Sequence, residues 1–423
     1  MSNLHDFQSV IRWLYNLRNK GSKLGLKRME RFALLANNPE KEFPSIHVAG
    51  TNGKGSVCAM IESLYRTNGY KVGLFTSPHL LRINERIQIN RVPISDNDLA
   101  SQVSYLAALA SNHFTKATFP SFFEFMTLAA FRYFSEASVD IAVIETGLGG
   151  RLDATNIIRP KLSIITSIGR DHTDILGDSL ASIAYEKAGI IKNNTPILIS
   201  KIPQEAESAV QNKAKNETAP IFKATDIIRT GALPKTNLEG SYQRLNAQLA
   251  LSAVKLLENE FPIRSHESLG KIAWMGRWQK LKLGSKQIIL DATHNEEACL
   301  QLEENLKNLI LEKKQKPIIF TGIVGIDRAR VILPLLCRYA KSLYLVSPQQ
   351  PRACSINELQ KLIPSISKIK YFPTSVETVF YKSNCLIGNE EDTILVTGSI
   401  YLIAEVLTHI EGISKDPVGQ DLI

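Results

Sequence analysis

The segment Gly50-Thr51-Asn52-Gly53-Lys54-Gly55-Ser56 joins the apolar run Ile46-His47-Val48-Ala49 to a second one, Val57-Cys58-Ala59-Met60-Ile61. Three glycines let backbone N–H groups converge on phosphate oxygens. Lys54 supplies a positive charge, and Ser56 at a helix start can offer its hydroxyl to Mg²⁺. Such a loop handles a nucleoside triphosphate. The spacing departs from G-x-x-x-x-G-K-[ST], because Val48 stands where the first glycine would fall and Gly55 separates Lys54 from Ser56. On this segment alone a kinase, a nucleotide switch, a ligase and a plain strand-to-helix turn all remain open.

Other residue types along the chain add to that chemistry. Glu145 ends the run Asp140–Ile144 and opens the glycine-rich stretch Thr146-Gly147-Leu148-Gly149-Gly150. A carboxylate there is placed to hold a metal bound to phosphates, a capped turn with a solvated acid being the plainer alternative. His172 follows another strand-like run and by itself reads as a structural or surface histidine. Lys187, just before Ala188-Gly189, reads as a cation at a helix C-terminus, and Asn246 as a polar residue on an amphipathic helix.

The elements that must position these groups follow from periodicity. Apolar runs of strand length at 45–49, 71–76, 140–145, 161–166 and 196–200 alternate with helical stretches near 56–68, 96–112, 121–137 and 179–191. This predicts an α/β fold with a mainly parallel sheet, the phosphate loop lying beyond a strand's carboxyl end. Residues 201–240, with several prolines and glycines, read as irregular, and a helix is expected over 242–259. A second series follows, with strands at 287–291, 317–321, 342–346 and 393–397 and helices near 295–311, 328–340, 375–386 and 400–410. It carries no second phosphate loop. At 423 residues the chain exceeds what one core usually supports, so two domains are expected, 1–285 and a smaller 286–423.

The net charge of +9 favours anionic ligands, yet the cations are scattered and no arginine-aromatic motif appears, so no nucleic-acid partner is expected. Five cysteines without a C-x-x-C pair point to reduced thiols. The first residues do not read as a secretory signal, and no apolar run reaches about 18 residues, so a cytoplasmic protein without a membrane partner is expected.

Taken in order, G-T-N-G-K-G-S, T-S-P-H-L (76–80), N-E-R-I (84–87), E-T-G-L-G-G-R-L-D-A-T-N (145–156), D-H-T-D-I-L-G (171–177), E-K-A-G-I (186–190), G-R-W-Q (276–279) and D-A-T-H-N (291–295) form one set. The set runs from about residue 24 to about 405. It closely resembles the folylpolyglutamate synthase and dihydrofolate synthase family, relatives of the bacterial Mur ligases. The resemblance implies a two-domain Mur-ligase-like fold, a P-loop ATPase domain followed by a Rossmann-like one, acting as a monomer. It implies an ATP-dependent ligase adding L-glutamate to dihydropteroate and to the γ-carboxylate of tetrahydrofolate-type substrates through an acyl phosphate. A folylpolyglutamate synthase alone, or a Mur-type ligase acting on a cell-wall precursor, are the alternatives.

The same resemblance implies roles for residues. Thr51, Asn52, Gly53, Lys54, Gly55 and Ser56 would hold ATP together with Asn246, Arg277 and Asp291. Ser56, Ser77, Glu145, His172 and an N-carboxylated Lys187 would serve two Mg²⁺ sites, with K⁺ a further candidate ion. The pterin would meet Leu24, Gly25, Ser121, Phe122, Phe123, Glu124, Leu152, Asp153 and Ala154. Glutamate would meet His294 and Ser399. Lys54, His172, Lys187 and His294 form the expected catalytic set. Two departures stand out: Lys23, where bifunctional members often carry an acid, and D-A-T-H-N-E in place of D-G-A-H-N-P.

Overall fold

A computed structural model describes residues 6–18, 25–229, 233–381, 384–412 and 416. The first sheet is built from Ser45–Ala49 (β1), Val72–Phe75 (β2), Ile87–Ile89 (β3), Val92–Pro93 (β4), Ile141–Glu145 (β5), Leu162–Ile165 (β6), Ile197–Ile199 (β7) and Ile221–Lys223 (β8). Its order is β4-β3-β2-β5-β1-β6-β7-β8. All neighbours run parallel except β2–β3 and β3–β4, which form an antiparallel edge. The central strands are buried throughout because helices cover both faces, which is why they read as continuous apolar runs. Successive residues of β5 serve different cores. Ile141 and Val143 face the helices Lys54–Thr67 and Ser241–Leu256, whereas Ala142 and Ile144 face Phe7–Arg18, Asp96–His113 and Phe122–Glu136.

The second sheet consists of Gln279–Leu283 (β9), Lys286–Asp291 (β10), Ile318–Thr321 (β11), Ser342–Leu345 (β12), Tyr371–Pro373 (β13) and, after a small hairpin Phe380–Tyr381 (β14) and Asn384–Cys385 (β15), Thr393–Thr397 (β16). Its order is β13-β12-β11-β16-β10-β9, parallel apart from the β9–β10 pair. The 285/286 boundary expected from the strand pattern falls inside that antiparallel pair, so membership of this sheet begins at Gln279.

Two segments differ from their sequence reading. Residues 201–240 contain the helix Gln204–Asn216, β8 and a helical turn at Ala224–Ile227. The prolines there punctuate elements: Pro203 caps the helix and Pro220 precedes β8, so neither interrupts an interior. The helix expected at 375–386 is one turn, Val376–Val379, followed by β14 and β15. Phe380 is buried and Tyr381 exposed, the alternation of a strand.

Candidate active site

The loop Gly50–Gly53 connects β1 to the helix Lys54–Thr67. At Gly50, φ is 154° and a Cβ would stand 1.9 Å from Thr166 Oγ1, so no side chain fits. At Gly53, φ is 84° and a Cβ would meet Asn246 Oδ1 at 2.6 Å. Hydrogen bonds to the β6 exit fix the rest of the loop. Thr51 N donates to Ser167 O (2.9 Å), Asn52 N to Ser167 Oγ (3.0 Å), and Thr166 Oγ1 to Asn52 O (2.6 Å). Lys54 turns back so that Nζ donates to the carbonyls of Gly50 (3.1 Å) and Thr51 (3.2 Å). The loop is therefore preorganised, with a helix N-terminus behind it, as an anion cradle.

Beside this cradle stand Glu145, His172 and Lys187, each at or just beyond the end of an element. Glu145 closes β5, is 4% exposed, and accepts from Ser77 N at 3.2 Å. Burial pushes its carboxyl up to about 7, against the pull of Lys54 and the Ser77 amide. His172 caps the short helix Thr173–Leu176 in a left-handed conformation (φ 51°), and burial holds its imidazole down at about 4, neutral at physiological pH. Lys187 Nζ, deeply buried, donates to Gly50 O at 2.8 Å, so two ammonium groups share one carbonyl. Burial, then the Lys54 charge, push Lys187 down to about 7.

The second sheet's elements complete the cleft. Asp291, at the end of β10, accepts from Trp278 N (2.9 Å) and from Thr293 N and Oγ1 (3.1 and 2.5 Å), which orders the turn carrying His294. Asn295 caps the helix Glu296–Lys313 and exchanges side-chain hydrogen bonds with Asn52 at 3.1 and 3.0 Å. Glu297, two residues on, accepts from Asn52 Nδ2 (2.8 Å) and Ser167 Oγ (3.1 Å). Asp171 receives Arg328 Nη2 at 2.7 Å and Asn295 Nδ2 at 3.1 Å, and lies 3.7 Å from His294 Nε2. Burial alone would raise Asp171, but His294, Arg328 and His172 outweigh it and hold the carboxyl well below the usual range.

A cleft of about 410 Å³ results, lined by the whole phosphate loop, Ser77, Glu145, His172, Lys187, Asn246, Arg277, Asp291 and His294. These expected ATP, metal and catalytic residues are brought together. Ser399 is not on this cleft. It caps the helix Ile400–Glu411 and donates to Gly322 O at 2.9 Å. The expected pterin residues are placed differently again. Ser121 and Glu124 form a capping box, Glu124 is gripped by Arg28 Nε at 2.8 Å to both oxygens, and Gly25 precedes the helix Leu26–Leu35. Phe122 and Phe123 are 1% and 3% exposed, the former stacked on Tyr15 and the latter against Gly147, so neither presents a face to the cleft. Asp153 accepts from Gly147 N and Leu148 N, both at 2.9 Å, and so shapes the cleft wall through the turn, with Ala154 buried and Leu152 half-buried beside it. Leu24 and Lys23 lie outside the described residues. Glu297 and Arg328 are not singled out by the sequence reading: the acid that replaces the family's residue after Asn295 is Glu296, and neither Glu297 nor Arg328 falls within a quoted motif.

A hard divalent cation fits the donors present. Among the described residues no group of three or more His, Cys, Asp or Glu side chains forms a metal cage. Mg²⁺ keeps waters and takes substrate phosphates with one or two protein ligands, for which the Glu145 carboxylate and the Ser56 and Ser77 hydroxyls are hard oxygen donors on this cleft. Glu145 is a buried carboxylate with a single amide donor, and a cation beside it would relieve the desolvation that raises it.

Comparisons with known proteins agree with this geometry. The Mur ligase middle domain family matches residues 48–251. A dihydrofolate synthase/folylpolyglutamate synthase of Bacillus subtilis is 34% identical over 95% of this chain and 98% of its own length. Its counterpart in Haemophilus influenzae is 31% identical, covering 94% and 97%. E. coli FolC, solved in complex with DHPP and ADP, superposes with a TM-score of 0.82 at 26% identity over 96% of this chain and 98% of its own. A Yersinia pestis bifunctional folylpolyglutamate synthase/dihydrofolate synthase, complexed with AMPPNP and Mn ion, gives 0.82 at 27% identity over the same shares. With its phosphate cradle, its Glu145–His172–Lys187 wall and this likeness along nearly its whole length, the chain belongs to the dihydrofolate synthase/folylpolyglutamate synthase family.

Proposed function

We propose that this protein is an ATP-dependent ligase that joins L-glutamate to dihydropteroate and to the γ-carboxylate of reduced folates through an acyl phosphate. The observation that carries it is one cleft in which the phosphate loop and Lys54 face His294 and Asp291 of the second sheet. A carboxylate is a poor electrophile, and transfer of the terminal phosphoryl group gives its carbon a leaving group. Lys54 and the loop amides neutralise charge on the transferring group. Glu145, His172, Ser56 and Ser77 would hold Mg²⁺, which would supply further neutralisation. Ser56 is oriented by Gln243 Nε2 at 3.3 Å, and Asn246, hydrogen-bonded to Gln243 at 3.0 Å, faces the base end of the nucleotide.

Lys187 is assigned as an N-carboxylated residue. Two ammonium groups on the Gly50 carbonyl are electrostatically poor, and a lysine held near 7 has the neutral amine that adds to CO₂. The product carries a negative charge where a second Mg²⁺ would bind. His294 receives the glutamate substrate, steadied through Asp171, while Ser399 acts at a distance by capping its helix. The pterin end lies beyond Gly147 and Leu148, with Asp153 and Phe123 shaping that wall rather than stacking on the substrate. The division falls into a P-loop domain and a domain beginning at Gln279, and the reaction runs in a cytoplasmic monomer. No helix among the described residues is long and apolar enough to cross a membrane.

Purified protein with ATP, Mg²⁺ and glutamate is expected to form ADP only when dihydropteroate or a tetrahydrofolate is supplied. Turnover with a UDP-linked muramoyl substrate and with neither pterin would replace this reading by the Mur-type one.

A further inference from the structure

The glycine that separates Lys54 from Ser56 has a physical occupant. A Cβ on Gly55 would stand 2.6 Å from Trp274 Cζ2 and 3.3 Å from Cε2, with Glu145 Oε2 at 3.5 Å. The indole thus lies on the first turn of the phosphate-loop helix, where any side chain would displace it. Gly55 has an ordinary helical position, so sterics against Trp274, not backbone conformation, demand glycine.

Trp274 belongs to the connector between the two sheets, and that connector is tied at both ends. On the first domain's side, Asn237 brackets Ile272, its Oδ1 accepting from Ile272 N (2.7 Å) and its Nδ2 donating to Ile272 O (2.8 Å). Arg91, at the β3–β4 turn, donates to Ala273 O and places its guanidinium 5.4 Å from the Trp274 ring centroid. On the second domain's side, Ala292 N donates to Gly276 O (2.9 Å) and Trp278 N to Asp291 (2.9 Å). Between these anchors sits Arg277, which lines the nucleotide cleft.

We infer that Trp274 is a positioning residue: its indole, seated on Gly55 and backed by Arg91, sets the register of the connector against the phosphate loop and thereby aims Arg277 at the triphosphate. The inference rests on the reading of Arg277 as an ATP-contacting residue. It also couples the two domains, since the peptide that carries Arg277 is hydrogen-bonded to Asp291 and Ala292. A displacement of about 1 Å in such a positioned group costs on the order of a hundredfold in rate.

The test is a set of double-mutant cycles read as KM for ATP and kcat, with thermal melting alongside. Arg277→Ala comes first: no change in KM for ATP would remove the premise and leave Trp274 without a group to aim. Given a raised KM, Trp274→Ala is expected to raise KM for ATP at least about tenfold, with the KM for the folate substrate unmoved. The double variant is then expected to be no worse than Arg277→Ala, and Trp274→Phe to restore most of the loss. Effects of Trp274→Ala and Arg277→Ala that multiply, or no effect of Trp274→Ala, overturn the inference. Should Trp274→Ala melt early, Gly55→Ala supplies the second cycle. It is expected to be deleterious in the native background and nearly without added effect beside Trp274→Leu; equal cost in both overturns the seat.

Discussion

Replacing Lys187 by Met keeps the unbranched stem, lacking only the terminal nitrogen, and removes its titration, which isolates the cost of an ammonium group buried beside Lys54. In the folded protein the amine is held near 7, against 10.5 for an ordinary lysine, burial being the larger cause and Lys54 the next. That displacement corresponds to about 5 kcal/mol of preference for the neutral form, an order-of-magnitude figure. Between about pH 7 and pH 10.5 the unfolded chain holds one more proton here than the folded chain. Stability of the native protein relative to Lys187→Met therefore rises with pH across that window, by at most about 1.4 kcal/mol per pH unit, and is level below it. Denaturant titrations of both proteins in CO₂-free buffers at pH 7, 8, 9 and 10 measure the difference. Supplying bicarbonate at pH 8 should then stabilise the native protein but not the variant, because only a neutral amine captures CO₂ and only the folded state preorganises the product. Parallel stability curves for the two proteins, with no response to bicarbonate, would refute the reasoning.

Glu145→Gln should raise the Mg²⁺ needed for half-maximal rate about tenfold or more, and native metal affinity should climb as pH rises toward about 7 and level off above it, because protons compete for the same carboxylate. Magnesium titrations of the rate at several pH values would show otherwise if the curves coincide. Asp171→Asn removes the charge that meets Arg328 at 2.7 Å and steadies His294. KM for glutamate is expected to rise about ten- to a hundredfold, the loss of a charge-assisted contact, and an unchanged KM would detach His294 from the glutamate site. Gly189→Ala would set a Cβ 2.3 Å from Arg151 Cα and Cβ, and since Gly189 has φ −60° the cost is steric, about 2–3 kcal/mol by denaturant titration. A variant within about 0.5 kcal/mol of native stability would show that the E-K-A-G turn yields readily.

Much of the first sheet was legible because its strands are buried on both faces. Ser45–Ala49 carries the pattern in five consecutive buried residues, and the phosphate loop announces itself by residue type. Glu145 stands where a strand ends, so its place near the loop followed from a parallel sheet, whereas His172 and Lys187 read as ordinary residues by themselves and were drawn to the loop only by the family resemblance. Contacts made by docking the second domain were not legible. Asp171 was visible within its motif, but its partner Arg328 is 157 positions away, and Glu297 reaches Asn52 across 245. Phe122 and Phe123 are buried in the core. Their types suit stacking on a flat ring, yet the helix that bears them is enclosed by β2, Tyr15 and Gly147, and both side chains are spent on packing. Ser399 was named through the family resemblance, and its hydroxyl accepts from Leu402 N as a helix cap.

Substrate-dependent ADP formation by the purified chain is the most direct test of the ligase chemistry. With ATP, Mg²⁺ and L-glutamate present, ADP and a glutamylated product should appear together, one for one, on adding dihydropteroate or tetrahydrofolate, and both should vanish in Lys54→Ala. ADP release that ignores the pterin and glutamate, or a glutamylated product formed without ATP consumption, would contradict it.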